Sequence, residues 1–237
     1  MEYSNKLNLD EFLLSVSDQI YCIIKLSKDF PNYIQGNDID IFCYNLPEFA
    51  AKILEVGQKY VENGFEIKFN NRKQYDHSAI DFYLNDKLEF RFDLHQELPT
   101  YERLRINPGL FSSVIENAIS LERQYKKQKY NIYVPCEIDD MLLRYLEYIE
   151  WYRVRPDKLK HLDYIINNLK DDSERIKLLD KLHYYTEIPE IDYKAERNPR
   201  LSALEVLRAV PSACKQLRSK PISEIPSTII TMFKKII

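Results

Sequence analysis

Glycine is scarce in this chain, with 4 residues among 237, while tyrosine reaches 18. So small a supply of the most permissive backbone residue argues for packed structure and against a disordered or low-complexity chain. The four cysteines, Cys22, Cys43, Cys136 and Cys214, include no Cys-x-x-Cys pair, so the spacing of a structural zinc site is missing. Cys22 and Cys43 fall in apolar runs and are expected to be buried thiols. No apolar run reaches the roughly 20 residues needed to span a bilayer. The polar Met1–Leu9 segment lacks the apolar stretch of a secretory leader, and a cytoplasmic location is the expectation. The net charge of −3 lacks the basic balance that nucleic-acid binding favours. No internal repeat stands out. What remains is 45% hydrophobic and 30% charged residues, an ordinary globular mixture. The length suffices for a sizeable core in one domain or two small ones.

Periodicity divides the chain in two. In the first part, Asp10–Gln19 reads as a short helix, Ile20–Lys25 and Asp38–Tyr44 as strands, and Asn45 as the cap of a helix that ends at Gly64. Phe65–Asn70 reads as a third strand. His77–Leu84 and Lys87–Leu94 read as a hairpin around Asn85-Asp86. Its arms alternate: Ile80, Phe82 and Leu84 share one face of the first, and Phe90, Phe92 and Leu94 one face of the second. After Pro108 the pattern is helical, with helices expected over Gly109–Gln124, Glu137–Tyr152, Pro156–Leu169, Ser173–Tyr184 and Ser202–Leu217. The expected fold is therefore α+β, a small mixed sheet flanked by helices in residues 1–107 followed by a helical domain in residues 108–237. The apolar Pro226–Ile237 tail, with Lys234 and Lys235 near its end, is expected to dock on the protein, with peripheral membrane contact as the other use.

The chemistry-bearing stretch is Asp38-Ile-Asp-Ile. Alternation sends Asp38 and Asp40 to one face and Ile39 and Ile41 into a core. Two carboxylates about 7 Å apart along one strand face repel unless a cation lies between them. Oxygen-only ligands suit Mg²⁺ or Mn²⁺ better than zinc. A two-metal site needs a third carboxylate. Asp93, opposite the apolar face of its strand, is preferred over Asp81, which has the same parity on the neighbouring arm. His95 shares the face of Asp93 and is expected to act as a hydrogen-bonding neighbour.

A strand ending near a serine, a loop, Asp-x-Asp on the next strand and a lone Asp on a later one resembles the polymerase-β-like nucleotidyltransferase superfamily. Ser27 stands in the serine position, and Asp38 follows eleven residues later. The string RFDLHQEL is similar to the third-acid strand of uncharacterised bacterial nucleotidyltransferase-like proteins linked to surface-polysaccharide genes. Residues 130–165 are similar to their helical half. The resemblance covers most of residues 10–169, through short motifs. It implies that Asp38, Asp40 and Asp93 are catalytic metal ligands for Mg²⁺ or Mn²⁺, and that Ser27, Lys25 and Lys28 bind the phosphates of a nucleoside triphosphate or nucleotide-activated donor. The implied reaction passes a nucleotidyl or related phosphoryl group to a small-molecule or glycan acceptor, such as a sugar or surface-polysaccharide precursor. Leu26 departs from the pattern, replacing the glycine that lets the backbone approach the phosphates. That departure keeps open a catalytically inactive binding module, and a toxin of the same superfamily is a further alternative. The helical half is expected to supply acceptor contacts, with Arg144, Tyr145, Lys158, Lys160 and His161 as candidates.

Overall fold

The structure is a computed structural model that describes residues 6–72, 77–101, 103–153 and 155–191. The expected helix over Ser202–Leu217, the Pro226–Ile237 tail and Cys214 lie outside the described residues. The fold is mixed α+β. Helices are α1 (Leu9–Ser15), α2 (Leu46–Val61), α3 (Gly109–Glu116), α4 (Glu137–Trp151), α5 (Leu159–Asn168) and α6 (Asp172–Tyr185). Strands are β1 (Tyr21–Ile24), β2 (Asn37–Cys43), β3 (Phe65–Arg72), β4 (His77–Leu84), β5 (Lys87–His95), β6 (Ile119–Tyr125) and β7 (Gln128–Val134). Among the described residues, no helix is long and apolar enough to cross a membrane.

A five-stranded sheet runs in the order β1-β2-β5-β4-β3. β2 and β5 are parallel; the other pairings are antiparallel. One face is apolar. Ile23, Ile39, Ile41, Ile80, Phe82, Phe90, Phe92 and Leu94 are all buried there, in one cluster with Phe12 and Leu13 of α1 and Phe49 and Ile53 of α2. α2 starts where its sequence signals say. The Asn45 side chain accepts from the Glu48 N–H at 3.4 Å and donates to Glu48 Oε2 at 2.7 Å, with Pro47 in the first turn.

The β4–β5 hairpin contains a one-residue irregularity that decides the site. Asn85 and Asp86 both take positive φ, 51° and 61°, and pair Leu84 with Lys87. Continued unbroken, that register would set Phe82 opposite Glu89 and send the apolar sets of the two arms to opposite faces. Instead Tyr83 pairs with Leu88 and Phe82 with Phe90, so Glu89 is the extra residue of a bulge. Glu89 is buried, and its carbonyl accepts from the Gly36 N–H at 3.0 Å. β3 ends the sheet, with Lys68 Nζ paired to Glu66 at 3.3 Å.

Two expectations are corrected. The helix read over Gly109–Gln124 stops at Glu116. Asn117 closes it, donating from its amide to Ser113 O at 2.8 Å, and Ile119–Tyr125 becomes a strand paired with β7. The turn joining them is Lys126-Lys127, both at positive φ (44° and 69°), a place where Asn or Gly is the usual signal. The division expected between residues 107 and 108 also falls elsewhere. One compact unit takes Met1–Thr100 with Ile106–Asp140, and the other Tyr101–Arg105 with Met141–Ile237. The reason is the β6–β7 hairpin: Tyr130 and Ile132 join the sheet core, and Arg123 Nη2 pairs with Asp10 of α1 at 3.0 Å.

In the second unit α4, α5 and α6 form where helices were expected. Leu162, Ile165, Leu178 and Leu182 are its buried apolar residues from α5 and α6, with His161 buried beside them.

Gly57 lets α2 lie close on the sheet. A Cβ there would stand 2.9 Å from Ile67 Cδ1 and 3.0 Å from the buried Phe82 ring. Gly57→Val is expected to cost roughly 1–3 kcal/mol through overpacking, read as a lowered urea midpoint at unchanged slope.

Candidate functional site

The second face of the sheet is polar over most of its width. Register sets its residues in rows. The first row is Lys68, Asp81, Arg91 and Asp38. The second is Asn70, Ala79, Asp93, Asp40 and Ile24. The third includes His77, His95, Phe42 and Cys22. Phe42 is covered by Phe111 of α3, their rings 4.9 Å apart. The rest of the face carries the candidate residues.

Asp40 and Asp93 are register partners on the parallel strands β2 and β5, and Asp38 lies one pleat earlier on the face of Asp40. Asp38 is exposed, and Asp40 and Asp93 are half-buried. Desolvation by the surrounding atoms, and then the charges of Asp40 and Asp93, push the Asp38 carboxyl above the ordinary carboxylate range, against the pull of Lys25 and Arg91. Asp40 goes the other way. Burial alone would raise it, but the Lys25 ammonium, with His95 beside it, holds it well below the usual range. Lys25 Nζ lies 3.0 Å from Asp40 Oδ2. His95 Nε2, at 3.9 Å from Oδ1, is beyond hydrogen-bond reach, so Lys25 is the pairing that holds Asp40. Lys25 follows the last residue of β1 at φ 57°, in the left-handed region few side chains adopt.

Asp81 has a different place. It is 2% exposed, accepts from Arg91 Nε at 2.5 Å and Nη2 at 3.0 Å, and accepts from Asn70 Nδ2 at 3.3 Å. A forked guanidinium–carboxylate pair of this kind satisfies a buried charge. That pair gives Asp81 a structural role beside the Asp38–Asp40–Asp93 group.

His77 went unnoticed in the sequence. Its Nε2 contacts Asp93 Oδ1, and its ring stacks on His95 with centroids 4.5 Å apart and planes 11° from parallel. Among the described residues, His77, Asp93 and His95 are the group whose potential ligand atoms all lie within 4.8 Å of one another. The three expected carboxylates are neighbours without meeting that criterion as a set.

Ser27 and Lys28 lie exposed in the loop after β1. Ser27 Oγ accepts from the Asp29 N–H at 3.2 Å, and its carbonyl accepts from the Phe30 N–H at 3.2 Å, so these bonds stay within its own turn. Leu26 packs against the sheet core. In the second unit, Arg144 lies over the Tyr164 ring at 4.1 Å, and Tyr145 is buried with its hydroxyl donating to Glu190 O at 3.3 Å. Lys158 pairs with Glu147, and buried His161 lies 3.3 Å from Glu147 Oε2. Lys160 is exposed.

Comparison with protein-family models, with curated proteins and with solved structures finds no match to this chain.

Because Asp38 is raised in the folded state, the folded chain binds that proton more tightly than the unfolded chain does. Ionisation therefore works against folding once the pH rises above the ordinary carboxylate range. Asp38→Asn is expected to raise the urea midpoint at neutral pH, and the gain should vanish at about pH 3, where the carboxyl is protonated in both states.

Proposed function

We propose that the polar sheet face binds a divalent cation and a nucleotide donor and transfers a nucleotidyl or related phosphoryl group to a hydroxyl acceptor. The β2–β5 register carries this reading: it sets Asp40 beside Asp93 with Asp38 one pleat away. The donor set fits a hard cation, since Asp40 and Asp93 disfavour ionisation of Asp38 and a bound cation would relieve that crowding. Asp38, Asp40 and Asp93 would hold Mg²⁺ or Mn²⁺, which when bound neutralises the donor phosphates. Lys25, already within reach of Asp40, supplies a further positive charge for a phosphate oxygen. Asp93 accepts the proton of the acceptor hydroxyl as its oxygen attacks phosphorus and the bond to the leaving phosphate breaks. Positioning and charge neutralisation carry most of such a transfer. The resemblance to nucleotidyltransferases, with Asp-x-Asp and a later lone Asp, supports the same chemistry and suggests a sugar or surface-polysaccharide precursor as acceptor.

A second reading is a binding module of the same fold that holds a nucleotide without turning it over. It is favoured by the loop after β1, where half-buried Leu26 packs against the core and the described bonds of Ser27 stay within its own turn.

Pyrophosphate release from a panel of nucleoside triphosphates, with Mg²⁺ or Mn²⁺ and a sugar acceptor, separates the two. The transferase reading expects release that EDTA abolishes and that Asp93→Asn lowers by about 10²-fold, with the unfolding midpoint retained. Nucleotide binding by calorimetry without release selects the binding module.

A further inference from the structure

We propose that His77, Asp93 and His95 form a site for a borderline divalent transition ion, with Zn²⁺ as its reference occupant. This site differs in chemistry from an oxygen-only magnesium site. His77 and His95 are register partners on the antiparallel strands β4 and β5, and Asp93 lies two residues before His95 on the same strand face. His77 opens β4 and His95 closes β5, both inner strands of the sheet, so the spacing of the three donors is set by pleat and register. Their ligand atoms lie within 4.8 Å of one another, and because an ion lies near the plane of each imidazole that binds it, the two near-parallel rings must turn out of their stack to close around it with bonds of about 2.0–2.1 Å.

The two imidazoles are stacked and half-buried, with side-chain exposures of 16% for His77 and 12% for His95. A neutral imidazole offers one nitrogen lone pair to an ion, and both rings lie beside the Asp93 carboxylate. Two imidazole nitrogens and one carboxylate oxygen, with Asp40 Oδ1 3.9 Å from His95 Nε2, make a mixed nitrogen and oxygen set. Such a set suits Zn²⁺, Co²⁺, Fe²⁺ or Mn²⁺, while Mg²⁺ prefers oxygen ligands and retained waters. Asp93 belongs to this site and to the carboxylate group alike. Binding of the ion requires no nucleotide and no turnover, so its test is independent of the transferase reading although the two share Asp93.

The full chain, stripped with EDTA and desalted, would be titrated with Zn²⁺ alone by calorimetry and with Co²⁺ alone by visible absorption. The expected result is one Zn²⁺ per chain and a Co²⁺ spectrum of nitrogen and oxygen ligation. His77→Gln and His95→Gln should each weaken Zn²⁺ binding by at least about tenfold. His183→Gln, at an exposed histidine of the second unit, should bind as the unaltered chain does. Three results would overturn the site: no Zn²⁺ uptake by the unaltered chain at millimolar concentration, equal binding by the His77 and His95 variants, or an intense near-ultraviolet thiolate band with Co²⁺, which would assign the ion to cysteine.

Discussion

Everything on the polar face depends on the parallel pairing of β2 with β5. Side chains alternate, so the pairing that packs Ile39 and Ile41 with Phe92 and Leu94 against α1 and α2 also sets Asp38, Asp40 and Asp93 together on the other side. A slip of β2 by one residue would turn Asp38 and Asp40 into the core and Ile39 and Ile41 out of it, parting the pair from Asp93. The apolar face therefore enforces the geometry of the acidic one. Aromatic packing strengthens that hold, since Phe12 of α1 lies 5.1 Å from the ring of Phe92.

The charges on this face fall into distinct conditions. Asp81 is closed off in a forked pair with Arg91, and Asp40 is held by Lys25. Asp38 is raised by desolvation and then by the charges of Asp40 and Asp93, against the pull of Lys25 and Arg91. Asp93 shares its carboxylate with His77. The face thus neutralises some of its acids firmly and leaves another raised.

Much of this was legible in the sequence, for physical reasons that differ from element to element. Alternation in Asp38-Ile-Asp-Ile and in both hairpin arms marked the strands and their polar sides, and the helical pattern marked the helices of the second unit. His77 escaped because its place depends on the bulge at Glu89, which moves it from opposite Leu94 to opposite His95. That bulge leaves an indirect trace: with a two-residue Asn85-Asp86 turn, the apolar sets of the arms can coincide only if one residue is extra. β6 and β7 left less. Their turn is two lysines at positive φ, without glycine or asparagine, and the preceding helix merges into β6 without a breaker stronger than Asn117. Leu26 was noticed as a missing glycine, and in the folded chain it is a hydrophobic anchor for the loop.

The end of the sheet at β3 also bears on how the molecule meets copies of itself. An outermost strand offers backbone donors and acceptors that could template the addition of a further strand. Here Glu66 and Lys68 line one side of that strand, and Lys68 reaches over the ring of Tyr83 at 4.5 Å. An incoming chain would have to desolvate that charge pair to dock, so the arrangement discourages edge-to-edge polymerisation without covering the strand.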